Sequence, residues 1–169
     1  MASGEHAGTL RTVIVGWKEQ GVTRLTDVLA HHLAASVVVH ADRPGPLTLV
    51  PVPTSRRSRR ARGGDLVDEL ARSAGRLLGG AGIDVTVVQA LSYVRATQDQ
   101  AGLGADARRA NLAGALAGRP SRLVDERHVV VVDDVMTTGS TLEEAARALS
   151  EIGRRPIGVA VVAATPWDS

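Results

Sequence analysis

Two adjacent carboxylates, Asp133 and Asp134, end an unbroken apolar run and lead straight into hydroxyls and a glycine: residues 129–141 read VVVVDDVMTTGST. Each half of the stretch suits one piece of chemistry. A strand, a small loop and a helix make a phosphate site, because backbone N–H groups converge at the helix N-terminus, where aligned peptide dipoles leave about half a positive charge. Thr137, Thr138, Ser140 and Thr141 add hydroxyl donors, and Gly139 lets a ligand approach the backbone. Two aspartates would repel a phosphate dianion, so they must hold something else. Side by side they suit vicinal hydroxyls, each carboxylate accepting from one O–H. Capping a helix would need one acid, not two. The combined demand is a ribose with its 5-phosphate in the loop and its 2- and 3-hydroxyls on Asp133 and Asp134.

The elements that must position such a site alternate between helix and strand. Leu10, Val13, Ile14 and Trp17 share one helical face, Gly21 interrupts, and Leu25, Val28, Leu29 and Leu33 resume the period. PLTLVPVP is a short strand ended by Pro51 and Pro53, which cannot donate to a ladder. The next helix carries Leu66, Leu70, Ala74 and Leu77 and stops at Gly79-Gly80. DVTVVQAL is a further strand. From Ser92 to Gly118 the period fades into a glycine-bearing loop with a short helix. RHVVVVDDV is apolar throughout, as strands in the middle of parallel sheets are. A helix with Leu142, Ala145, Ala146 and Leu149 inward follows, ended by Gly153, and PIGVAVVAAT is the last strand. Strands separated by helices predict right-handed βαβ units, hence an α/β fold with a parallel sheet.

At 169 residues the chain is one domain, 1–169, with a helical segment over 1–40 and an α/β core over 45–165. The sequence contains no cysteine, which excludes disulfides, thiolate metal sites and a cysteine nucleophile. No secretory signal and no apolar run of about 18 residues is visible, so the expectation is a soluble, cytoplasmic domain without a membrane span. Nineteen arginines stand beside a single lysine, Lys18, and five of them crowd into SRRSRRAR, at Arg56, Arg57, Arg59, Arg60 and Arg62. Aromatics are limited to Trp17, Tyr93 and Trp167. None is interleaved with that arginine run, so stacking on nucleic-acid bases is unsupported there. His31, His32 and His40 lack partners at metal-ligand spacing and read as helix-face residues, His128 reads as structural, and Trp17 reads as core.

VVVVDDVMTTGST resembles the phosphoribosyl-pyrophosphate (PRPP) signature of the type I phosphoribosyltransferases. LVPVPTSRRSRRARG, ATQDQAGLGADARRANLAGAL and WKEQGVTRLTDVLAHHLA resemble, in order, further segments of the ComF/GntX group of that family, so that the likeness runs from about Thr9 to Ala164. The resemblance implies the type I phosphoribosyltransferase fold with a small helical N-terminal hood. It implies binding of PRPP or ribose phosphates with Mg²⁺, and transfer of the phosphoribosyl group to a base or amine with release of pyrophosphate. Asp133 and Asp134 would grip the ribose, with the metal held near them through the ligand. Thr137, Thr138, Gly139, Ser140 and Thr141 would hold the 5-phosphate. Arg56 and Arg57, with Thr54 and Ser55, would take pyrophosphate through bidentate forks and hydroxyls. Thr97 to Asn111 would be a lid, shaped by Arg95 and Gln100, with Arg108 and Arg109 closing over the leaving group as catalytic residues. A homodimer is compatible with the resemblance.

The same group is associated with DNA uptake in natural competence. That implies a second reading, an accessory protein that keeps the fold to bind PRPP, a competence helicase or DNA, with the arginine run following a phosphate backbone. A third, a regulator that senses PRPP, lacks a visible DNA-reading helix. The chain departs from the group in three ways. Members usually begin with a four-cysteine zinc ribbon, and this sequence starts where that ribbon would have ended. Gly64, Asp65 and Leu66 stand where the group has Phe-Asn-Gln. Thr137 stands where purine-salvage relatives carry an acid, which argues against 6-oxopurines.

Overall fold

The computed structural model describes residues 2–5, 8–20, 24–55, 59, 64–97, 104–123 and 127–165. Five strands form one parallel sheet in the order β1-β7-β6-β2-β3: β1 Ala2–Glu5, β2 Leu47–Pro51, β3 Val85–Val87, β6 His128–Met136 and β7 Gly158–Ala164. The helices are α1 Gly8–Gln20, α2 Leu25–Val38, α3 Leu66–Gly80, α4 Ala105–Leu112 and α5 Ser140–Glu151. A second, antiparallel pair joins β4 Leu91–Tyr93 to β5 Leu116–Gly118. The expected α/β architecture with a parallel sheet is the one found. Among the described residues no helix is long and apolar enough to cross a membrane.

The period-2 alternation of β6 divides the core in two. Val130 and Val132, with Leu47, Leu49, Ala160 and Val162, face α1, α2 and α3. Val129 and Val131, with Val50 and Val161, face α5 and the β4–β5 pair. Both faces are aliphatic, as the scarcity of aromatics requires. Trp17 is fully buried in the first cluster and donates its indole N–H to Thr26 Oγ1 at 2.9 Å, a core role as expected.

Several details differ from the sequence reading. The 1–40 segment opens with a strand, β1, which pairs with β7 through its backbone and so leaves no side-chain period to read. Its two helices have different duties. α2 covers the sheet beside α3, with Leu29, Leu33 and Val37 buried, whereas α1 brings Lys18 to the acids at the end of β6. Val28 is 51% exposed, because α2 turns Leu29 and Ala30 inward instead, and on α3 Leu78 takes the inward place expected of Leu77. DVTVVQAL is not one strand: Val88 N–H still bonds Leu49 O at 2.9 Å, after which the chain leaves the parallel sheet and enters β4.

Candidate functional site

Parallel strands all finish at the same edge, and ligands of open α/β sheets bind outside that edge. Here it carries Asp133 and Asp134 of β6 and, just beyond β2, Thr54. Because successive strand residues point to opposite faces, Asp134 continues the row of Val130 and Val132 toward the helices, and Asp133 continues the row of Val129 and Val131 toward β4. Asp134 is 3% exposed. Its Oδ1 accepts from Val135 N–H at 2.8 Å, and its Oδ2 faces the Lys18 ammonium in an ion pair. Asp133 Oδ1 accepts from Asp134 N–H at 2.8 Å.

Burial, and after it the neighbouring Asp134 carboxylate, push the Asp133 carboxyl well above the usual aspartate range, and Lys18 offsets only part of this. Burial also raises the Tyr93 phenol, helped by the charges of Asp133 and Asp65, so Tyr93 belongs to the electrostatic surroundings of both acids. The sequence offered only one signal for Tyr93, its rarity as an aromatic. Lys18 likewise stood out only as the lone lysine.

Beyond the acids the chain turns at Gly139, whose φ of 77° is a left-handed conformation that favours glycine. A Cβ there would meet nothing within 4 Å, so its glycine is required by the turn and not by crowding. α5 starts at the next residue. Ser140 is buried, and its hydroxyl lies 3.0 Å from that of Thr138. Thr137 is exposed, and Thr141 lies in the first turn of α5. The structure thus brings Asp133, Asp134 and residues 137–141 into one strand-turn-helix unit.

The segment after β2 meets a cleft of about 120 Å³ lined by Pro53, Thr54, Arg59, Asp65, Gln89, Tyr93 and Arg119 among others. Thr54 donates from its N–H (3.2 Å) and its hydroxyl (2.8 Å) to Asp65, which also caps α3 by accepting from Asp68 N–H at 3.3 Å. The departure at position 65 therefore has a local task, holding the Pro53-Thr54 turn against the start of α3. Ser55 O accepts from Arg59 N–H at 2.9 Å. Arg56, Arg57 and Gln100 lie outside the described residues.

Beside the segment expected to form a lid, Arg95 bonds the carbonyls of Asn111 (2.8 Å) and Ala113 (2.7 Å), tying the two ends of the span together. Arg109 meets Glu143 in the first turn of α5 (3.3 Å), close in sequence to the Gly139 turn, and Arg108 is on the same short helix, α4. Glu144, one residue on from Glu143, accepts from Leu116 N–H at 3.0 Å and pairs with Arg147, which in turn donates to Leu116 O. Burial alone would raise the Glu144 carboxyl, but Arg147 and the N–H groups of Leu116 and Gly114 hold it below its ordinary range. Among the described residues no three His, Asp or Glu side chains gather as a metal cage. His40 and His128 spend Nε2–H on the carbonyls of Val159 and Pro44, each at 3.1 Å; both roles are structural, but His40 lies just past α2 and not on the helix face expected of it.

A strand-turn-helix with paired acids at the finishing edge of a parallel sheet defines a phosphoribosyltransferase-type domain. The chain belongs to that family: the phosphoribosyl transferase domain matches residues 3–168. Within the family it is ComF-like. It is 35% identical over 115 residues to competence protein F of Haemophilus influenzae, covering 68% of this chain and 48% of that one. It is 37% identical over 116 residues to DNA utilization protein YhgH of Salmonella typhi, covering 69% and 48%. The chain thus spans about half the length of these curated relatives. A shorter match, 56% over 39 residues, links 23% of the chain to 22% of the adenine phosphoribosyltransferase of Rhodococcus jostii. The crystal structure of a purine phosphoribosyltransferase from Pyrococcus horikoshii aligns over 85% of this chain and 75% of its own, at 19% identity and a TM-score of 0.41, too slight a likeness to add to the assignment.

Proposed function

We propose that this chain binds PRPP with Mg²⁺ and transfers its phosphoribosyl group to a base or amine, releasing pyrophosphate. The observation that carries the reading is the pairing of Asp133 and Asp134 with the left-handed turn at Gly139 and the start of α5. In this reading the two carboxylates accept from the ribose 2- and 3-hydroxyls, and residues 137–141 donate N–H and O–H groups to the 5-phosphate. Thr54 and Ser55, with Arg56 and Arg57, receive the pyrophosphate end. Residues 97–111 cover the reacting centre and exclude water.

The ribose C1–O bond loosens through an oxocarbenium-like transition state while the acceptor approaches from the opposite face. Catalysis is then positioning of the two ligands plus stabilisation of the charge that grows on the leaving group. The residues present fit magnesium held through the ligand: the Tyr93 phenol lies within electrostatic reach of the Asp133 carboxylate, no protein cage gathers among the described residues, and magnesium commonly keeps waters and phosphate oxygens in its shell. Bound there, it would neutralise phosphate charge.

Calorimetric titration with PRPP, with and without magnesium, tests the reading. Magnesium-dependent binding near micromolar affinity is expected, followed by pyrophosphate release on screening bases and amines. A folded protein that binds no PRPP would sink the proposal. The relatives' names, competence protein F and DNA utilization protein, favour a second reading, an accessory of DNA uptake that binds PRPP, a helicase or DNA without turnover. Direct DNA contact in that reading predicts affinity that falls steeply with salt; no binding even at low salt would dispose of it.

A further inference from the structure

The electrostatics of the acid pair point to an unassigned member of the site. Two carboxylates stand beside a loop suited to a phosphate, and the partial charge of one helix N-terminus is smaller than either carboxylate's. Among the described residues the cation that reaches them is Lys18, on α1, the only lysine in a chain whose other basic residues are all arginine apart from histidine. Its side chain keeps a third of its surface exposed, while the Asp134 side chain it meets keeps 5%. Asp134 Oδ1 accepts from Val135 N–H and keeps a second lone pair for a ribose hydroxyl, while the buried Oδ2 is the oxygen that Lys18 faces. An ammonium has three donors on a flexible stem and can serve two acceptors at once, where a planar guanidinium is restricted to a fixed fork.

We infer that Lys18 is a ligand-binding residue of this site, its ammonium shared between Asp134 and a phosphate oxygen of the bound ribose phosphate. It supplies the full positive charge that allows an anionic ligand to rest beside two carboxylates. The inference rests on the ribose-phosphate reading above and adds a residue, and an element, to it: α1 becomes part of the binding site.

The test uses ribose 5-phosphate and ribose as calorimetric probes of the wild-type chain, Lys18→Arg and Lys18→Gln, with thermal melting to show that each is folded. Lys18→Gln should weaken ribose 5-phosphate at least tenfold and ribose less than threefold, and Lys18→Arg, which keeps the charge but is restricted to its fork, should recover only part of the loss. Lys18 is also the only side-chain amine, so its acetylation by an N-hydroxysuccinimide ester can be followed by mass spectrometry on the wild-type protein. Saturating ribose 5-phosphate should slow it several-fold and leave the N-terminal amine unchanged. Wild-type affinity in a folded Lys18→Gln, equal losses for the two probes, or an acetylation rate indifferent to ribose 5-phosphate would each overturn the inference while leaving the reading above intact. A wild-type chain that binds no ribose 5-phosphate would be seen before any variant is made, and would remove both.

Discussion

The two ends of the parallel sheet are built on opposite terms. Where the strands start, each polar side chain named above is matched within the chain. His128 at the head of β6 bonds Pro44 O, and His40 bonds Val159 O. Two glycines make room for those rings: a Cβ on Gly158 would run into the His40 imidazole, and one on Gly45 would come within 3.3 Å of His128. Where the strands finish, two carboxylates are crowded together, one with its proton affinity raised, and the glycine at the following turn faces open space. One end is fastened, and the other holds unfavourable charge in place. Folding alone gains nothing from the second arrangement, which is the mark of a site kept for a ligand.

Substitutions should separate the ends. The largest effect is expected from Asp133→Asn with Asp134→Asn, which should weaken ribose-phosphate binding by a few kcal/mol, since each charge-assisted bond is worth about 1.5–3. Calorimetry on the folded double variant checks it, and unchanged affinity would end the ribose-grip argument. At the other end, Gly158→Ala should lower stability by about 1–3 kcal/mol through overpacking against His40, with ligand affinity untouched. In a His40→Ala background the same change should cost much less, a coupling that denaturant melts of the four proteins would expose. If the costs simply add, the crowding account is wrong.

Gly139→Ala forces a side chain onto a left-handed turn and should cost about 1–2 kcal/mol of stability. Unlike Gly158→Ala, it should also impair phosphate binding, because it disturbs the turn that aims the loop. Asp133→Asn alone should have the smallest effect and the opposite sign, raising the melting temperature by a few degrees at neutral pH. The Asp133 carboxyl is raised in the fold, so the unfolded chain ionises first. Stability is therefore lost as pH climbs from about 4 through the folded value. Over that window the wild type should decline against Asp133→Asn, and parallel melting curves for the two would contradict the burial described for Asp133.

The strand-turn-helix was readable because its information is local: an unbroken apolar run through Val132, an acid pair, then a glycine at the one turn position needing positive φ. Arg95 and Arg109 were singled out in and beside the segment expected to form a lid, but their partners, backbone carbonyls and Glu143, carry no marker in the sequence. Lys18 and Tyr93 were illegible as site residues for a related reason. Each reaches the acids from a distant element, and nothing in WKEQG or LSYVR announces the destination. Two side chains, Val28 and Leu77, were assigned to the wrong helical face because a 3.6-residue period lets either of two neighbours fill the inward place. β1 contributes backbone pairing and little pattern, so only the assembled sheet reveals it.

The Arg95 bonds at the base of the 97–111 span have a consequence for inheritance. Val94 N–H bonds Ala115 O at 2.9 Å, the β4–β5 ladder continues below it, and Arg95 closes the base from one side. What joins the two feet is independent of what lies between them. Lengthening the intervening stretch costs only a slowly growing loop entropy, about 0.6 kcal/mol for each doubling. The span is therefore an exchangeable cassette: descendants can rewrite it without renegotiating the sheet and the strand-turn-helix that carries Asp133 and Asp134.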